Sequence, residues 1–406
     1  MISNNNIPQG YKQTDLGIIP EDWDTIKICE GLADVKSGKR LPYGYYVTDN
    51  RTKHPYIRVI DMYDGGIDTS NLMYVPEEAY KSIEKYRIFK DDIFISVAGT
   101  LGIVGKIPSW LDGANLTENA NRLTNITCCR DYLLYYLRSP YIQDVISSEQ
   151  TVGAQPKLAL NRIRNFEIAL PSSDTEQKAI ATALSDVDAL IAALDKKIAK
   201  KKLIKQGAMQ QLLTGKKRLQ GFTEEWVEKK LEDICDIIMG QSPSSIYYNI
   251  QNVGLPLIQG NADLENRQQI VRYYTSQITK VCEEGDVILS VRAPVGAVGK
   301  AIHKSCLGRG VCAIKINNDY IYHYLIYIED DWNSFSKGST FDSINSDELN
   351  KFSLSLPITV KEQQAIATIL SDMDKEISDL EAKRDKYRLI KQGMMQKLLT
   401  GQIRLK

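Results

Sequence analysis

Apolar residues return every three or four positions through two stretches of this chain. In residues 176–219, Ile180, Leu184, Val187, Ile191, Leu194 and Ile198 fall at alternating spacings of four and three. That is the a/d seam of a coiled coil, which repeats every ~3.5 residues. Residues 362–405 carry the seam again as Ile366, Leu370, Met373, Ile377 and Leu380, then place Arg384 and Tyr387 where it would continue. Aligned without a gap, the two stretches are identical at 27 of 44 positions, the mark of an internal repeat. Each follows a proline (Pro171, Pro357) and closes at Leu-Leu-Thr-Gly, with Gly215 and Gly401 expected as helix stops. About 38 residues at ~1.5 Å each predict a rod of roughly 55 Å.

Between the helices the pattern shifts to short β-branched runs. Lys90-Asp91-Asp92-Ile93-Phe94-Ile95-Ser96-Val97 and the glycine-bearing stretch to Lys106 align with Glu284-Gly285-Asp286-Val287-Ile288-Leu289-Ser290-Val291 and the stretch to Lys300. A turn, a buried run, a glycine turn and a second run predict strand, tight turn, strand. Glu21-Asp22-Trp23 opens the first globular segment and Glu224-Glu225-Trp226 the second. Each segment closes with a polar glycine loop, Gly153-Ala154-Gln155-Pro156-Lys157 or Gly338-Ser339-Thr340, before an apolar strand at 166–170 or 352–356. One plan is used twice.

Composition adds bounds. A chain of 406 residues, 43% hydrophobic and 25% charged, is long and apolar enough for two or three domains with their own cores. Its 51 basic and 51 acidic residues cancel, so any footprint for nucleic acid must be local. Seven cysteines without a C-x-x-C, and only three histidines, leave no zinc-ligand spacing and suggest reduced, buried thiols. The polar opening Met-Ile-Ser-Asn-Asn-Asn and the lack of any run near 18 apolar residues predict a cytoplasmic protein without a membrane span.

Catalytic motifs fail on inspection. The glycines before Lys106 and Lys300 resemble a phosphate loop, but Ile107 and Ala301 stand where Ser or Thr would hold magnesium. Asp174-Thr175-Glu176-Gln177-Lys178 resembles a nuclease carboxylate cluster. The second copy loses both Asp and Lys, which favours acidic residues set against a helix dipole. The chain reads as non-catalytic.

What remains is recognition chemistry. DNA reading needs donors and acceptors for base edges and cations for phosphates. In the first segment Lys36, Lys39, Arg40, Tyr45 and Tyr46 form a basic-aromatic loop, with Arg58, Gln155 and Lys157 near strand ends. In the second, Gln241, Ser242, Tyr247 and Tyr248 occupy the equivalent loop, with Gln259, Asn261, Arg272 and Arg292 beyond it. The copies share a scaffold yet differ at polar positions, Lys39 against Gln241 and Ala98 against Arg292. Such divergence is expected if each reads a different sequence. Lysines 196, 197, 200, 201, 202 and 205 suit either phosphates or a solvated helix face.

These features together resemble the specificity subunit of type I restriction–modification systems. The resemblance rests on Gly285-Asp286-Val287-Ile288-Leu289-Ser290 with Gly296 and Gly299, and on Gly153-Ala154-Gln155-Pro156-Lys157. Pro171, Glu176-Gln177, Ile180-Ala181 and Leu184, with the doubled Leu-Leu-Thr-Gly, complete it. It implies an α+β fold: two mixed α/β target recognition domains joined by two long antiparallel coiled-coil helices in an internal pseudo-two-fold repeat. The expected boundaries are 1–172 and 216–358 for the recognition domains and 173–215 and 359–406 for the helices. Each domain would read one half of a split site in double-stranded DNA, the helices acting as a ruler. The implied partners are two modification (methyltransferase) subunits docked on the helices and restriction/translocase subunits in the full complex, with no membrane partner. No cofactor is expected in this chain; S-adenosylmethionine, ATP and Mg2+ would belong to the partner subunits. Gly207 and Gly393 suit either close approach of a partner helix or a mild bend. The seam break at Arg384 and Tyr387 bears on whether the helices pair along their full length.

A coiled-coil scaffold binding proteins at its globular ends is the competing reading, since divergent loops also suit two protein ligands. An added nuclease is disfavoured because the doubled plan uses the whole chain. Zero net charge predicts weak DNA binding alone and a steep gain with methyltransferase subunits present.

Overall fold

The computed structural model describes residues 7–148, 157–332 and 343–406. Packing divides the chain into one unit of Met1–Ala193 with Arg384–Lys406 and another of Leu194–Lys383.

In the first unit the run Ile93–Ser96 is buried along its whole length and forms an inner strand of a four-stranded antiparallel sheet. The order is Val104–Gly105, Ile93–Ser96, Ala120–Thr124, Asp34–Ser37. A second four-stranded sheet runs Met73–Tyr74, Pro55–Ile57, Ala114–Leu116, Arg87–Ile88, its middle pair parallel. Trp23–Lys27 pairs with Glu167–Pro171 at the mouth of the first long helix, Asp174–Leu212. The repeated Asp and Ser explain the tight turns. Asp92 accepts from the Phe89 amide at 3.0 Å, while the Ser96 hydroxyl donates to Thr100 at 2.6 Å and accepts from the Ile103 amide at 2.8 Å. Glycine is required at Gly102, whose φ of 78° is left-handed.

The second unit repeats this plan with longer sheets. Asp236–Met239, Val311–Lys315, Val287–Ser290 and Val298–Lys300 head a six-stranded sheet. A five-stranded sheet holds Leu255–Ile258 parallel to Ser305–Leu307. Ser290 donates to Pro294 and accepts from Ala297, both at 2.9 Å, closing the same turn. Trp226–Lys230 pairs with Ser353–Pro357 ahead of the second long helix, Val360–Leu398.

The long helices have 39 residues each, close to the length predicted. Their seam residues Ile180, Leu184, Leu194, Ile198, Ile366, Leu370 and Ile377 are buried, and Arg384 and Tyr387 are half-buried. Ile180 and Leu184 enter a core with Trp23, Tyr132 and the other helix's Met395 and Leu398. Ile366 and Leu370 do the same with Leu231, Tyr320, Met209 and Leu212. Burying such side chains is the main favourable term. Gly215 (φ 68°) and Gly401 (φ 70°) follow the helix ends in the left-handed region, as their sequence places predict.

Helix starts are pinned by the Glu-Gln pair. Gln177 donates to the Pro171 carbonyl at 2.8 Å and accepts from the Cys129 amide at 2.8 Å; Gln363 donates to Pro357 at 2.8 Å and accepts from Asn318 at 3.1 Å. Glu176 and Glu362 are buried against Arg404 and Arg218, so the dipole is only part of why an acid stands there. Three of the rod lysines form ion pairs with acids of the other long helix. In the second unit Lys201 pairs with Glu376 and Lys202 with Glu381 at 2.7 Å, and Lys205 with Asp374 at 2.5 Å. Lys196, Lys197 and Lys200 are exposed.

Candidate nucleic-acid interface

In each unit, polar side chains gather where two parallel strands end side by side. In the second unit Leu255–Ile258 and Ser305–Leu307 both run out at this edge, and the Gly308 amide donates to the Ile258 carbonyl at 2.7 Å. The Gln241 amide donates to Leu307 at 2.9 Å, and the Ser242 hydroxyl accepts from the Arg309 amide at 3.0 Å. The Val291 amide donates to Gly310 at 2.9 Å, which sets Arg292 beside the same turn. Gly308 and Gly310 lie flat on Gln259: a Cβ on Gly310 would fall 2.1 Å from the Gln259 carbonyl oxygen. Gln241, Ser242, Gln259 and Arg292 are thereby brought together. Asn261 opens the adjoining turn at Asn261–Asp263, whose Asp263 caps the Gln259 amide at 2.7 Å and faces Arg272 at 3.7 Å. Tyr248 donates to Pro243 at 3.1 Å on the same loop as Ser242, and Tyr247 is exposed beside it.

The first unit uses the same backbone bonds. The Lys39 amide donates to Leu116 at 2.8 Å, Thr117 to Ile57 at 3.1 Å, and Val97 to Asn119 at 2.7 Å. Lys39 therefore stands where Gln241 stands, Arg58 where Gln259 stands, and Ala98 where Arg292 stands. Ala98 bridges Lys157 as Arg292 bridges Ser343. Tyr56 donates to the Lys39 carbonyl at 3.1 Å, and burial pushes its own hydroxyl up to about 12, so it remains a neutral donor beneath the loop.

Not every sequence candidate joins these clusters with a free polar group. Arg58 is held by Asp61 at 2.6 and 3.0 Å and by the Asn71 carbonyl at 2.9 Å, so reaching DNA requires it to exchange partners. Lys36 pairs with Asp34 on its own strand at 3.8 Å. Tyr45 and Tyr46 are exposed on a neighbouring turn. Gln155 lies outside the described residues, as do Gly338, Ser339 and Thr340. Among the described residues no cluster of His, Cys, Asp and Glu is suited to a metal ion, and no helix is long and apolar enough to cross a membrane.

The profile of the type I restriction modification DNA specificity domain matches residues 20–203 and 223–387. The chain belongs to the type I restriction–modification DNA specificity family. Each copy of the domain takes in one globular segment and most of the long helix that follows it. The putative type I restriction enzyme MjaX specificity subunit of Methanocaldococcus jannaschii is 32% identical over 426 residues, spanning 98% of this chain and 97% of the relative. The MjaVIII specificity subunit of the same organism is 25% identical across 96% of this chain and 94% of its own length. Among solved structures, the type I restriction–modification S subunit from M. genitalium aligns with TM-score 0.61 at 17% identity, covering 95% and 97% of the two chains. A chain from work on complex assembly and conformational transition of the type I R-M system aligns with TM-score 0.59 at 22% identity, covering 95% and 99%. These two share the fold.

Sequence reading of this specificity-family chain overlooked two side chains at the cluster. Glu118 and Arg309 occupy one and the same turn position, and Arg40 reaches Glu118 at 3.0 Å. The available signal was a short polar break between two apolar runs, Thr-Glu-Asn after Leu116 and Gly-Arg-Gly after Leu307.

Proposed function

We propose that this DNA-specificity chain reads a split duplex site, one half-site by each globular segment, without catalysing a reaction itself. The observation that carries this reading is the unlike chemistry on one backbone frame: Lys39, Arg58 and Ala98 against Gln241, Gln259 and Arg292. A shared frame keeps the docking geometry, while amides select adenine and arginines select guanine through bidentate contacts.

The long helices pair as an antiparallel coiled coil and dock methyltransferase subunits, which bring S-adenosylmethionine. Support comes from the Leu-Ile-Lys-Gln-Gly run present in both helices. Leu203 and Leu389 are 68% and 70% exposed, whereas most of the seam is buried. A turn further on, Gly207 and Gly393 have open space where a Cβ would stand. An exposed leucine with a glycine four residues later on the same face suits close packing by another helix.

Selection of bound duplexes from a random pool, with the cognate methyltransferase subunit present at near-physiological salt, tests the reading. A split consensus with a fixed unread gap is expected. No enriched sequence, with the partner visibly bound, transfers the argument to a protein-binding scaffold.

A further inference from the structure

We propose that Glu118 and Arg309 are matched base-reading residues, each setting one base pair of the half-site read by its own unit. The inference rests on the DNA-reading function proposed above and names residues that neither the repeat nor the composition singles out.

The two side chains stand at the second position of equivalent four-residue turns. The first turn closes from the Ala120 amide to the Thr117 carbonyl and the second from the Val311 amide to the Gly308 carbonyl, both at 3.2 Å. The same neighbours fix both turns. Gly38 bonds Ala120 and Gly240 bonds Val311, each at 3.0 Å, and the preceding strands end one residue before the turn. The backbone of each turn is thus satisfied without help from residue 118 or 309. Arg309 is exposed, and its side chain makes no hydrogen bond or ion pair among the described residues. Glu118 accepts from the Thr117 hydroxyl at 3.1 Å and meets Arg40, whose side chain is 74% exposed. The Glu118 side chain is 28% exposed, and a pair with one partner as open as Arg40 contributes little and can be exchanged.

Charge decides between base edge and phosphate. A carboxylate is repelled by the DNA backbone, so Glu118 beside Lys39 and Arg40 faces DNA favourably only where it meets a donor. The exocyclic amine of cytosine in the major groove is such a donor. At the same place in the second unit, Arg309 offers a guanidinium fork that matches O6 and N7 of guanine. Gly308 and Gly310 press the turn onto Gln259, and Ser242 holds the Arg309 amide, so the arginine is carried on a braced turn next to Gln241 and Gln259.

The test is the random-pool selection with cognate methyltransferase subunits, run on the wild-type chain and on Arg309→Ala, Arg309→Gln and Glu118→Gln. Arg309→Ala is expected to leave one base pair of one half-site degenerate and to weaken binding of the wild-type site roughly 5- to 150-fold. Arg309→Gln should turn that position from guanine toward adenine. Glu118→Gln should change one base pair of the other half-site only. The inference is overturned if Arg309→Ala weakens all sequences alike with a shallower salt dependence, the signature of a phosphate contact. An unchanged consensus, or both residues mapping to one half-site, overturns it equally. Failure of the wild-type complex itself to yield a split consensus would instead remove the DNA-reading function, and the inference with it.

Discussion

Arg404 grips Glu176 through both carboxylate oxygens, Nε to Oε1 at 2.5 Å and Nη2 to Oε2 at 2.7 Å, across 228 residues of sequence. The same guanidinium bonds Asp22 twice at 2.8 Å and lies 5.6 Å from the Trp23 ring. In the second unit Arg218 holds Glu362 at 2.7 and 2.8 Å and lies 5.9 Å from Trp226. The segment that follows one long helix is therefore tied to the first turn of the other in both units.

Removing Arg404 leaves Glu176, 2% exposed, without its counter-charge. Arg404→Met is expected to destabilise the protein by about 3 kcal/mol, read as a fall in thermal midpoint. The Arg404 hydrogen bonds hold the Glu176 carboxyl below its usual 4.5. A lowered folded pKa stabilises above the unfolded value and loses that stabilisation as pH falls through the folded one. The wild type should therefore lose stability below pH ~4.5 more steeply than the variant does.

His323 gives the second unit a separate acid sensitivity. It is fully buried, with Nε2 3.0 Å from the Ser371 hydroxyl and Nδ1 3.9 Å from Asp374. Burial, then the nearby Lys205 ammonium, lowers its pKa from 6.5 to about 4. The unfolded chain binds the proton first, so stability is full above pH 6.5 and falls between 6.5 and about 4. The loss should approach roughly 3 kcal/mol. At the equivalent place Tyr135 donates to Asp188 at 2.9 Å. Denaturant midpoints across that pH range should show His323→Gln losing this component.

Arg292→Ala should relax the half-site read by the second unit and leave the other unchanged, because Ala98 already occupies the matching place in the first. Sequencing of selected duplexes checks this, and uniform weakening would reassign Arg292 to a phosphate.

Leu203→Asp alters an exposed side chain, so the thermal midpoint should move little. Retention of methyltransferase subunits in size-exclusion chromatography should drop by about half, with Leu389→Asp alone equivalent and the double variant retaining none. Full retention by the double variant would sink the docking assignment.

Much of the local structure was legible in the residues. The heptad spacing marked helices that end three residues before Gly215 and Gly401, and the Asp-to-Ser runs marked buried strands closing on glycine turns. Both signals are local, set by side-chain period and permitted dihedrals. The repeat also exposed unequal polarity at Lys39 and Gln241, because those positions align without insertions. Arg58 against Gln259 and Glu118 against Arg309 were hidden, because the spacing between landmarks differs in the two segments.

By itself, then, the sequence determined two helices, two sheet-bearing segments, their doubled plan and a family likeness that the comparisons bear out. Only the tertiary structure decided that Lys201, Lys202 and Lys205 face acids, that Arg58 is held by Asp61, and that Glu176 belongs to Arg404. The physical reason is distance along the chain. Periodicity and turn chemistry act over a few residues, whereas ion pairs and strand-end clusters join groups that only folding brings within about 3 Å.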